Sequence, residues 1–128
     1  MVHPYLATPR RDNKYNVAIL LRAVSMIPKG PQLDLSSVYP FLEDKRGPVR
    51  EAAIQALDHS ANPDAEARVI GHLASTTNPY DITYCHAVLN HIGTPRALPT
   101  IEANLASRKR GVKLSAQFAA EAIRDRAN

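Results

Sequence analysis

Side chains that can ligate a metal or attack an electrophile are few in this chain, and their spacing decides what they can do. There are five histidines and a single cysteine, Cys85. Cys85-His86 followed by His91 matches no zinc-ligand spacing, and His59 and His91 are expected near the ends of two different helices rather than as convergent neighbours. No metal and no cofactor is therefore expected. Cys85 with His86 offers no thiolate–imidazole pair either, because adjacent helical residues point about 100° apart. The carboxylate pairs are Asp64 with Glu66, Glu43 with Asp44, and Glu121 with Asp125. Only the last pair shares a helical face, where Arg124 and Arg126 screen it. Nothing indicates a concave apolar pocket for acid–base work, so the chain is expected not to be an enzyme.

The elements that position these residues follow from composition and punctuation. The 128 residues are 45% apolar and 22% charged, the balance of one globular domain. Alanine (19) and leucine (12) dominate while aromatics make up 5%, which favours an all-α fold packed through small side chains. Asp12 or Asn13 caps a first helix to about Ile27, with Val17, Leu20, Leu21 and Val24 inward. Asp34 or Ser36 opens a short helix to Glu43, with Pro40 in its first turns. Pro48 starts a helix to about Ser60, with Val49, Ala52, Ala53, Ala56 and Leu57 inward. Pro63 starts one to Ser75, with Ala67, Ile70, Leu73 and Ala74 inward. Pro79 or Asp81 begins a helix to Ile92, Pro95 one to Ser107, and Val112 one to near Arg126. Residues 1–11 read as an N-terminal arm and 12–128 as one domain of seven helices. Residues 1–11 hold no apolar run long enough for a signal peptide and the lone cysteine cannot form an internal disulfide, so a cytoplasmic chain without membrane association is expected.

An internal repeat organises the helices. Shifting the chain by 32 places lays Ala56-Leu57-Asp58-His59-Ser60-Ala61-Asn62-Pro63-Asp64-Ala65 on Val88-Leu89-Asn90-His91-Ile92-Gly93-Thr94-Pro95-Arg96-Ala97, with Leu, His, Pro and Ala in register. The stretch from Leu42 to Leu57, containing Asp44-Lys45-Arg46-Gly47-Pro48-Val49-Arg50, resembles the turn and second helix of a HEAT repeat, and Ile92 to Ile101 resembles the opening of the next. The short period is most similar to the compact HEAT-like class of phycobilisome lyases. This resemblance implies a right-handed superhelical stack of about three and a half helical hairpins. It also implies that Asp44 and Arg50 form a hydrogen-bonded ladder between neighbouring repeats. The third repeat, with Thr76-Thr77-Asn78-Pro79-Tyr80 at its turn, lacks that arginine.

Charge then suggests surfaces. Residues 1–107 hold ten basic and ten acidic side chains, whereas 108–128 hold six and two. Arg10, Arg11 and Lys14 precede the first helix, Lys45, Arg46 and Arg50 occupy the second pair's turn, and Arg108, Lys109, Arg110 and Lys113 occupy the fourth's. In a stacked array these turns share one edge, which would attract an acidic protein face or a phosphate backbone. The concave side implied by the resemblance carries Glu51, Gln55, Tyr84 and Asn90, a polar mixture suited to a protein partner. Open arrays bind by default. The expected function is a non-enzymatic protein-binding module, in its narrowest form a bacterial immunity-type protein that neutralises a toxin. The alternative is nucleic-acid binding through the basic edge, disfavoured by few aromatic stacking platforms.

Overall fold

The computed structural model describes residues 14–25 and 33–128, and the N-terminal arm with Arg10 and Arg11 lies outside them. Among the described residues every regular element is helical, in six α-helices: α1 (Lys14–Ser25), α2 (Gly47–Ala56), α3 (Pro63–Ser75), α4 (Pro79–Ile92), α5 (Leu98–Glu102) and α6 (Arg110–Ala127). A 3₁₀ turn at Tyr39–Glu43 precedes α2, and 3₁₀ turns at Pro95–Ala97 and Ala103–Ala106 flank α5.

The expected seven α-helices are thus corrected at two places, once in number and once in length, both set by proline. Pro40 sits in the first turn of the segment leading to α2, which closes as a 3₁₀ turn rather than an α-helix. Between Pro95 and Ser107 the second proline, Pro99, has no N–H to give to the carbonyl of Pro95 four residues back, so only Leu98–Glu102 is α-helical. The two central helices open as the sequence predicts. The Asn62 side chain accepts from the N–H of Asp64, and that of Asn78 accepts from Tyr80 and Asp81, each just before a proline in the first turn.

Helices α1, α2, α4 and α6 pack in succession, α1 on α2, α2 on α4 and α4 on α6, while α3 lies against α4 and α5 against α6. Every predicted inward residue of α2 is buried, and so are Leu57 and its 32-residue equivalent Leu89. Cys85 is buried as well, and burial pushes its thiol up, which removes it as a nucleophile. The face predicted for α3 is right only in part: Leu73 is buried and Ile70 is half-buried against the core, but Ala67 and Ala74 are exposed, and Ala65, Glu66, Val69 and His72 take the other inward places. A carboxylate and an imidazole stand inward on α3 because Thr94, Arg96 and Asp81 receive them. Gly93 ends α4 where a Cβ would lie 2.5 Å from the Leu89 carbonyl and 2.6 Å from Ile123 of α6, so a bare backbone is required for α6 to close on α4.

Candidate functional site

Three polar clusters stand out, each joining segments about 30 residues apart in the chain. The first surrounds Asp81 in the third residue of α4, where an acid favours the helix N-terminus. Its Oδ2 accepts from Arg50 Nε at 2.8 Å and lies 3.0 Å from Nε2 of His72. Arg50 Nη1 also donates to the carbonyls of Asp44 (2.9 Å) and Lys45 (3.1 Å). Asp44 and Arg50 therefore do not pair side chain to side chain. The Asp44 carboxylate receives the N–H, Nε and Nη2 of Arg46, each at 2.8 Å, and the hydrogen bond from the Arg46 side chain holds it below the usual carboxylate range. Arg50 instead bridges the turn before α2 to α4, 31 residues on.

This network floors a depression of about 380 Å³ lined by Glu43, Lys45, Arg50, His72, Thr77 and Asp81, among others. His72 Nδ1 and Asp81 Oδ1 are buried without a hydrogen-bond partner among the described residues, and Glu43 Oε1 stands 3.6 Å from the former. The depression thus presents these two unpartnered polar atoms beside Lys45.

The second cluster is centred on Glu66, 4% exposed, which accepts from the N–H and hydroxyl of Thr94 (2.7 and 2.8 Å) and from Arg96 Nε (2.7 Å). Arg96 also donates to the carbonyl of Pro63 at 2.7 Å. The third joins Asp58, His59 and His91. His59 and His91 are convergent neighbours after all: their rings stack with centroids 4.6 Å apart, and His91 Nδ1 lies 2.9 Å from Asp58 Oδ1. Packing of α2 on α4 brings their C-terminal ends together, and linear ligand spacing does not register this.

The predicted basic edge is gathered in part. The turns before α2 and α4 share the depression at Lys45, and those before α4 and α6 share another of about 410 Å³ lined by Pro79, Tyr80, Thr83, Lys109, Gly111 and Val112. Lys45, Arg108, Lys109, Arg110 and Lys113 are exposed, while Arg46 and Arg50 are engaged as described. The side chain of Lys14 lies outside the described residues. Arg108, Lys109, Arg110 and Lys113 have no carboxylate partner among the described residues. Glu51, Gln55, Tyr84 and Asn90 are all half-buried. Tyr84 and Asn90, six residues apart on α4, project about 120° apart and do not share a face. Sequence reasoning missed Glu66, His72, Asp81 and the exposed Tyr80 as members of these sites.

His86 is a further buried polar group, fully enclosed, with Nδ1 2.8 Å from Ser115 Oγ and Nε2 3.2 Å from Asn104 Nδ2. Burial pushes its pKa down to about 4 from 6.5. The unfolded chain then binds more protons than the folded one between these values, so stability falls as pH drops from about 6.5 towards 4. Urea midpoints across this range should decline less steeply for His86→Gln than for wild type, and parallel curves would show that His86 does not contribute to the slope.

No family model matches the chain, and no curated protein or solved structure shows significant similarity to it. Among the described residues, no helix is long and apolar enough to cross a membrane.

Proposed function

We propose that the chain is a HEAT-like stack of about three and a half hairpins acting in the cytoplasm as a non-enzymatic protein-binding module, with an acidic partner face seated on the edge built by the turns before α2, α4 and α6. The observation that carries this reading is Tyr80, 70% exposed, lining one depression with Pro79 and Lys109. An exposed tyrosine beside unpaired cations is the composition from which interface hot spots are made, and charge on such an edge speeds encounter with an acidic surface. Arg50 is already held by Asp81 across the α2–α4 junction, which leaves the exposed cations of the edge as the ones open to a partner. The narrowest form of the reading is an immunity-type protein that neutralises a toxin.

Growth rescue tests that form: co-expression should relieve toxicity of the neighbouring gene's product, and Arg108→Glu with Lys109→Glu and Arg110→Glu should abolish the relief while the fold persists. A neighbouring product without toxicity, or full rescue by the triple variant, sinks it. The same cations favour nucleic acid as a second reading, because a basic patch binds any phosphate polymer at about 10⁻⁴ to 10⁻⁶ M at physiological salt. Anisotropy with random duplex and single-stranded probes at about 0.15 M salt should find nothing tighter than that range. Nanomolar binding lost in the triple variant would replace the protein reading with the nucleic-acid one.

A further inference from the structure

The C-terminal ends of α2 and α4 carry two imidazoles and a carboxylate to one point on the surface. Asp58 and His59 follow Leu57, which caps the end of α2, and His91 lies in the last turn of α4. The two rings are nearly parallel, 16° between planes. Asp58 stands beside both, with Oδ1 and Oδ2 at 2.9 and 3.1 Å from His91 Nδ1 and Oδ2 at 3.7 Å from His59 Nε2. One donor atom from each of the three lies within 4.8 Å of the others.

We propose that Asp58, His59 and His91 form a binding site for a divalent first-row transition-metal ion of the zinc class. Two imidazole nitrogens and one carboxylate oxygen are the donors that borderline ions accept, whereas calcium and magnesium take oxygen ligands. Zinc–ligand bonds of about 2.0 to 2.2 Å in a tetrahedron place donor atoms roughly 3.3 to 3.6 Å apart, so the present cluster must contract by roughly 1.2 to 1.5 Å at its widest, and the stacked rings must tilt by tens of degrees for both to aim a nitrogen at one ion. The imidazoles are 67% and 48% exposed, which leaves room for that change of rotamer at the surface.

The surroundings favour a cation. Two helix C-termini, the negative ends of their dipoles, meet here. The end of α4 already attracts the guanidinium of Arg126, which donates to the carbonyls of Leu89, Asn90 and Gly93. Three protein ligands leave a coordination position open to solvent, and the ion ties the end of one repeat to the end of the next.

The test uses the full chain without a histidine tag, titrated with Zn²⁺ against a chromophoric chelator, with thermal unfolding followed in parallel. His59 has φ 61°, the left-handed region that asparagine tolerates, so His59→Asn removes an imidazole while respecting the turn. His91→Gln removes the other on the exposed side of α4. One equivalent of Zn²⁺ should bind in the micromolar range and raise the unfolding midpoint. Each variant should weaken binding by about tenfold or more and lose the rise, with its helical circular dichroism unchanged. Absence of binding below millimolar Zn²⁺, or equal affinity and an equal midpoint rise in both variants, would overturn the proposal.

Discussion

Asp81→Ala is expected to lower the unfolding free energy by about 3 to 5 kcal/mol, the range for breaking a buried charged pair from one side. Asp81 is 1% exposed and is the point at which Arg50 and His72 meet, so its loss leaves an uncompensated guanidinium at the α2–α4 junction and takes the partner from an imidazole nitrogen. Arg50 keeps its bonds to the carbonyls of Asp44 and Lys45, which places the expected cost nearer the lower end. Asp81→Asn retains the shape and one acceptor and should cost less. Asp44→Ala is the informative comparison. Among the described residues its carboxylate holds Arg46, which is 30% exposed, and partly exposed pairs of this kind contribute about 1 kcal/mol or less. Urea denaturation of the three variants decides the matter: if Asp81→Ala costs no more than Asp44→Ala, the Arg50–Asp81–His72 network does not hold α2 to α4.

That contrast also shows where the sequence was informative. The starts of α3 and α4 were legible because Asn-Pro leaves one local solution, an asparagine cap followed by proline in the first turn. The core face of α2 was legible because all five inward positions are apolar. The α3 face was not, since Glu66 and His72 are buried only by virtue of Thr94, Arg96 and Asp81, and hydrophobic periodicity carries no record of partners 9 to 30 residues away. The ladder that the resemblance implies for Asp44 and Arg50 is not made by their two side chains: Arg50 reaches Asp81 on α4 and takes only the main-chain carbonyl of Asp44, whose carboxylate holds Arg46. The bridges Arg50–Asp81, Glu66–Arg96 and Asp58–His91 span 31, 30 and 33 residues, close to the 32-residue shift. Acidic residues with arginine or histidine partners about 32 places away are therefore a readable signal in this chain, although the choice among several such pairs needs the packing angle of the helices.

The second large effect tests the repeat itself. Leu57→Ala and Leu89→Ala should each cost about 2 to 5 kcal/mol, since both leucines are fully buried and truncation removes transfer free energy and leaves a cavity. Their environments differ in a way that orders them. Leu57 is the C-cap of α2, where the chain turns into the left-handed His59 and can settle inward. Leu89 lies within α4, and its carbonyl is fixed by the N–H of Gly93 at 2.8 Å and by Arg126 at 3.3 Å, so the backbone around it has little freedom to collapse. Cavities that cannot relax cost more, and Leu89→Ala should be the worse of the two. Leu114→Ala on α6, 37% exposed, serves as the control and should cost well under 1 kcal/mol in the same urea titration. A Leu57 or Leu89 variant no less stable than the Leu114 variant would show that the 32-residue register does not mark a shared core, and the pairing of equivalent positions across repeats would fail with it.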